Sequence, residues 1–111
     1  MVSQPIPSKT LFGQRLREAR LRAGIAQDRL GVMIGLDEGS SSARMSRYET
    51  GVHEPPYEVA KNLAAALNIP VTYFYCPQDE VAEILIETFD MSTDELVVVL
   101  KLIRSVRNLQ K

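Results

Sequence analysis

Residues 24–51 read GIAQDRLGVMIGLDEGSSSARMSRYETG, and this stretch decides the fold. Gly24, Gly35 and Gly51 divide it into two short segments, each closed by a residue suited to the left-handed backbone that ends helices. The first segment, 27–34, carries Leu30, Val32, Met33 and Ile34 as apolar content. The second, 42–50, places Met45 and Tyr48 three apart on one face, as a helix half-buried on a core requires. Between them, residues 36–41 are polar and rich in glycine and serine, which reads as a turn with Ser41 capping the second segment. Two short helices joined by a turn is the expectation.

Upstream, residues 9–23 read as a helix with Phe12, Leu16, Ala19 and Ala23 at helical spacing, Ser8 as its cap and Gly24 as its stop. Two prolines before it, Pro5 and Pro7, make residues 1–8 an N-terminal arm. Downstream, Pro56 suits the first turn of a fourth helix that runs to Leu67, with Val59, Ala60, Leu63, Ala64 and Leu67 as its stripe and Asn68 as its stop. Pro70 opens a short helical turn over 71–75. Pro77 and Gln78 form a joint. Residues 79–89 read as a helix with Val81, Ile84, Leu85 and Phe89 as its apolar positions. Ser92-Thr93-Asp94-Glu95 is a capping box that opens a last helix over 93–109. No segment alternates as a strand does, so the fold class is all-α.

The chain has 111 residues, enough for one core. Its 45% apolar and 24% charged residues are those of an ordinary globular protein. No apolar run approaches the roughly 20 residues of a membrane span, the N-terminus lacks the secretory pattern, and cytoplasmic residence is the expectation. One histidine, His53, and one cysteine, Cys76, leave no pattern for a metal site, a disulfide or a nucleophile with its base. Neither an enzyme nor a cofactor is expected. The net charge of −1 hides a polarity. Residues 1–50 carry eight basic and five acidic side chains, residues 51–111 five basic and nine acidic. A basic front half can face phosphate even in an acidic chain.

The spaced elements Leu11-Phe-Gly-Gln-Arg-Leu-Arg-Glu-Ala-Arg20, Gly24-Ile-Ala-Gln27, Gly31-Val-Met-Ile-Gly35, Met45-Ser-Arg-Tyr-Glu-Thr-Gly51 and Pro55 together resemble the Xre/Cro-like, phage-repressor-type helix-turn-helix family over residues 9–75. The resemblance implies a five-helix lambda-repressor-like DNA-binding domain over 9–76, with two extra helices in 77–111. It implies double-stranded DNA as partner, with the third helix in the major groove. Arg47 is then the sharpest candidate for a base contact, since guanidinium pairs bidentately with guanine, and a phosphate contact is nearly as good a reading. Ser42, Ala43 and Ser46 would permit close approach, with Ser41 and Arg44 beside them. Gln27, at a helix start, is read as a phosphate contact or as a cap alone. Arg15, Arg17, Lys9 and His53 are further phosphate candidates. The resemblance also implies an ion pair between Arg20 and Glu49 that locks the third helix onto the first. The stretch between Gly35 and Met45 is longer than the family's usual turn, which could tilt the reading helix or add a contact, with Asp37 and Glu38 pointing away from phosphate.

The last helix bears Leu96, Val99, Leu100, Ile103 and Val106 on one face. That face packs on the same chain or forms a homodimer interface, and the dimer is favoured because the first five helices already form a unit in similar proteins. Two-fold symmetry would set two reading helices about 34 Å apart over a near-palindromic operator. The resulting expectation is a transcriptional regulator, a repressor by preference. The competing reading is a protein-interaction module, such as an antitoxin whose C-terminal helices bind a partner protein.

Overall fold

A computed structural model describes residues 6–110; residues 1–5 of the expected N-terminal arm lie outside the described residues. The chain is all-helical: α1 (Leu11–Ala23), α2 (Gln27–Met33), α3 (Glu38–Thr50), α4 (Tyr57–Leu67), a 3-10 turn (Val71–Tyr75), α5 (Asp79–Thr88) and α6 (Thr93–Leu109). Among the described residues no helix is long and apolar enough to cross a membrane.

The stops are where the sequence puts them. Gly24, Gly51 and Asn68 hold φ of 70°, 84° and 56°, the left-handed backbone that glycine and asparagine tolerate best. The capping box is complete: Ser92 Oγ accepts from the Glu95 backbone N–H at 3.2 Å, and the Glu95 carboxylate accepts from the Ser92 N–H at 3.0 Å. That backbone bond holds the Glu95 carboxyl below its ordinary pKa. The first helix starts two residues later than expected. Thr10 caps it, its hydroxyl accepting from the Gly13 N–H at 3.0 Å, while Ser8 donates back to the Thr10 carbonyl.

The core gathers Phe12, Leu16 and Ala19 of α1, Leu30 of α2, Met45 and Tyr48 of α3, the inner stripe of α4, and Tyr73 and Phe74. Phe12 stacks on Phe74 with ring centroids 4.7 Å apart. Ala23, the last residue of α1, is exposed.

Two expectations need correction. The stretch 36–41 is not a turn: helix α3 begins at Glu38 and absorbs Gly39, Ser40 and Ser41. The extra residues make about one further turn of helix, at roughly 3.6 residues per turn, so they keep the inner face in register. Ser41 falls on that face, one turn before Met45. It is fully buried and donates to the Asp28 carbonyl of α2 at 2.6 Å. Gly31 makes room for it: a Cβ there would stand 1.9 Å from Ser41 Oγ and 3.0 Å from Ser41 Cβ. On α5 the small Ala82 is fully buried and Ile86 partly buried on the core, while Val81 and Ile84 are exposed, as is Phe89 just past the helix. A small side chain lets α5 lie close to the body.

None of the residues of α6 is buried, and no other element packs broadly on it. The radius of gyration is 16.5 Å, against about 13 Å for a compact chain of this length. The apolar face of α6 is therefore not spent on its own chain.

The close packing of α2 on α3 makes two glycines respond oppositely to alanine. Gly31→Ala is expected to destabilise by about 1–3 kcal/mol through overpacking. Gly39→Ala meets nothing within 4 Å and has ordinary helical backbone, so it is expected to stabilise by about 0.5–1 kcal/mol. Urea unfolding of both variants checks the pair; no gain at Gly39 would remove the extra helical turn.

Candidate nucleic-acid interface

The inner face of α3 is anchored along its length by Ser41, Met45, Tyr48 and Glu49, all buried. Glu49 is fully buried, a carboxylate in the last turn of a helix, where the helix dipole disfavours negative charge. It persists because donors surround it. Arg20 Nε reaches Glu49 Oε2 at 2.5 Å and Arg20 Nη2 reaches Oε1 at 3.1 Å, a bidentate pair. Arg17 Nε approaches Oε1 at 3.4 Å, and the Gln27 amide donates to the same oxygen at 3.2 Å. Arg20 also donates to the Ile25 carbonyl at 2.9 Å, holding the turn between α1 and α2. One carboxylate thus ties α1, the start of α2 and the end of α3.

Gly13 brings α1 onto α3. A Cβ at that position would lie 2.4 Å from the Glu49 carbonyl oxygen and 2.7 Å from that of Tyr48. The Lys9 backbone N–H donates to the Thr50 carbonyl at 2.9 Å, and the His53 N–H to the Arg47 carbonyl at 3.2 Å. Both satisfy carbonyls that a helix end would otherwise leave free.

The outer face of α3 is bare. Ser42, Ala43, Arg44 and Arg47 are exposed and Ser46 is half-buried. A hollow of about 270 Å³ beside Ser46 is lined by Arg17, Gln27 and Thr50 among others. His53 is exposed next to the end of α3. The structure therefore brings Arg17, Gln27 and Ser46 around one hollow, with Arg47 exposed at the next position of α3.

Three sequence-predicted contacts are placed differently. Ser41 faces α2 and cannot touch a partner, because the longer α3 turns it inward. Arg15 is buried, not surface-facing. Its guanidinium donates to the Cys76 carbonyl at 2.9 Å, pairs with Asp79 at 2.9 Å and Glu18 at 3.1 Å, and lies over the Tyr73 ring. Burial works against its charge, but the hydrogen bonds it donates to Asp79 and Glu18 outweigh this and leave its pKa raised. Burial, with the charge of Glu18, likewise raises the Tyr73 phenol. Arg17 is turned toward Glu49 and only partly open. Gln27 spends one amide hydrogen on Glu49, which leaves its second amide hydrogen and the backbone at the start of α2 for any outside group.

Sequence reading missed the Arg15 clasp that fixes α5, because its partners lie 61 and 64 residues away. It also missed the seat of Ser41 on Gly31. A glycine inside a helix costs about 0.5–1 kcal/mol relative to alanine, which is itself a sign of close approach. Among the described residues, no three His, Cys, Asp or Glu side chains are grouped to hold a metal ion.

A short helix, a turn and a second helix pinned by its inner face and bare on its outer face define a helix-turn-helix. The chain belongs to the helix-turn-helix domain family, whose model matches residues 11–72. It is similar to the transcriptional regulator BswR, 37% identical, whose crystal structure superposes with a TM-score of 0.79 over 89% of this chain and 98% of that one. Two uncharacterized HTH-type transcriptional regulators, from Sinorhizobium medicae and Rhizobium meliloti, are each 28% identical over 72 residues, which is 65% of this chain and 49% of theirs. The chain spans about half the length of these curated relatives. The family is not one of enzymes.

Removing the carboxylate at the hub is expected to cost stability first. Glu49→Ala leaves Arg20 without its buried partner and should destabilise by about 3–5 kcal/mol. A thermal melt unchanged from wild type would remove the structural role assigned to this pair.

Proposed function

We propose that the protein is a sequence-specific DNA-binding transcriptional regulator, acting as a repressor in the cytoplasm, that binds a near-palindromic operator as a homodimer. The observation that carries this reading is the two-sidedness of α3. Its inner face is locked through Ser41, Met45, Tyr48 and Glu49, while Ser42, Ala43, Ser46 and Arg47 stay open on the other side. A helix fits the major groove, and small side chains at its surface permit close approach. Arg47 supplies the fork that matches guanine O6 and N7, and Ala43 offers a contact for a thymine methyl. Arg44, His53 and the start of α2 at Gln27 serve the phosphate backbone, which sets register without reading sequence.

The extra turn of α3 extends the reading helix at its N-terminal end through Glu38, Gly39 and Ser40. The acidic Glu38 there disfavours a phosphate close by, so this end lies in the groove or clear of the backbone. Membership of the helix-turn-helix family and the likeness to named transcriptional regulators support the reading.

The second helix pair supports dimerisation. Leu96, Leu100, Ile103 and Val106 are exposed and Val99 half-buried on a helix that its own body leaves uncovered. A buried apolar side chain contributes roughly 1.5–3 kcal/mol, so leaving several in water is costly unless a second molecule covers them. The domain division follows: residues 9–76 contact DNA and 77–111 join the copies, α5 linking the two through its clasp to Arg15.

A binding selection from random duplex DNA at physiological salt, with the solution mass measured alongside, tests this. A dimer enriching an inverted repeat is expected. A well-folded protein that enriches nothing overturns the reading and turns attention to a partner protein for α6. On the selected operator, Arg47→Ala is expected to cost about 1–3 kcal/mol and to relax one base position. Equal weakening on every duplex would instead make Arg47 a phosphate contact.

A further inference from the structure

The charges of α5 and α6 are sorted. Helix α5 and the corner after it carry Asp79, Glu80, Glu83, Glu87 and Asp90 and no basic residue. After Glu95, α6 carries Lys101, Arg104 and Arg107 and no acidic residue. Two of the acids are already used within the chain, Asp79 by Arg15 and Glu83 by Arg22. Glu80, Glu87 and Asp90 are exposed, as are the three bases of α6, and among the described residues none of these six forms an ion pair.

Each charge strip borders an uncovered apolar strip. On α5, Glu80 and Glu87 lie one turn on either side of Ile84, which is 48% exposed. On α6, the apolar residues from Val98 to Leu100, with Leu102, Ile103, Val106 and Leu109, occupy roughly 200° of the circumference, twice the stripe of about 100° that packing on one neighbour needs. Lys101, Arg104 and Arg107 recur every third position and wind over about 120° of the circumference, so that Arg104 borders the apolar arc beside Leu100 and Arg107 lies within its margin. The helix has 17 residues and is about 25 Å long at about 1.5 Å per residue. It does not pack broadly on α5, and among the described residues none of its bases pairs with an acid of that helix.

We infer that the dimer is interlocked and charge-keyed: α6 of each copy packs on α6 of the other along one side of its wide apolar arc and against α5 of the other copy along the rest, with Lys101, Arg104 and Arg107 facing Glu80, Glu87 and Asp90 of that copy. The inference rests on the homodimer of the proposed function and specifies how it is built. A second copy is the occupant because both members of the complement lie on one chain. A two-fold interface needs this, since each surface must meet its own counterpart, whereas a surface for a foreign partner needs only one member. The width of the α6 arc is explained by two neighbours, and a simple pairing of α6 with α6 would leave half of it in water. Rim charges of this kind set partner choice and orientation more than affinity.

The test uses the full chain and its mass in solution by sedimentation equilibrium. One variant combines Lys101→Glu, Arg104→Glu and Arg107→Glu; the other combines Glu87→Lys and Asp90→Lys. All five positions are exposed, and far-UV circular dichroism checks that each variant is helical. Each variant alone is expected to self-associate at least tenfold more weakly than wild type. Mixed in equal amounts, they are expected to form a one-to-one heterodimer near wild-type strength, seen by native mass spectrometry. Variants that dimerise as wild type does, or a mixture that recovers nothing, overturn the keyed arrangement and leave a differently built dimer. A wild-type chain that is monomeric at every concentration overturns the homodimer itself.

Discussion

A single buried carboxylate organises the part of the molecule built from α1, α2 and α3. Glu49 sits at the end of α3, where the helix dipole and burial both oppose its charge. It is tolerable only with Arg20 in bidentate contact and with Arg17 and Gln27 close by. Those partners come from α1 and from the start of α2, so the position of α3 is determined by a group that cannot be left unpaired. The close approach of Gly13 to the α3 carbonyls and of Gly31 to Ser41 is the steric side of the same constraint. An outer face held this way is presented to solvent in one orientation, as groove reading demands.

A second cation, Arg15, does for α5 what Arg20 does for α3. It binds the Cys76 carbonyl and Asp79, and with the Arg22–Glu83 pair it fastens α5 to α1. Ala82 completes the seat. Helix α6 has no such fastening and no buried residue. The chain thus divides by energetics into a body that satisfies itself and a helix that does not. In the proposed function, DNA contact belongs to the first and assembly to the second.

Much of the helical plan is legible in sequence because it is written in local chemistry. Gly24, Gly51 and Asn68 end helices through their own backbone preference, and the Ser92–Glu95 box starts one through its own hydrogen bonds. The start of α3 is not legible. Asp37 to Ser41 has the composition of a turn, and the helix there is imposed by the contact of Ser41 with α2, a tertiary effect that local propensity does not encode. The arginines of α1 show the same limit. Arg15, Arg17 and Arg20 look alike in sequence, yet one clasps α5, one leans on Glu49 and one pairs with it, because their partners come from distant segments. The family resemblance supplied the Arg20–Glu49 pairing; nothing in it spoke of Asp79. On α5 the bulky Val81 and Ile84 stand out in sequence, while the residue buried against the body is the small Ala82, with Ile86 partly buried on the core beside it.

The division of labour between α3 and α6 is tested most directly by backbone amide chemical shifts of the labelled protein as a selected operator duplex is added. Shifts concentrated at Ser42, Ala43, Ser46 and Arg47 and at the start of α2, with α6 unchanged, are the predicted result. Shifts concentrated on α6, with the outer face of α3 silent, would contradict that division.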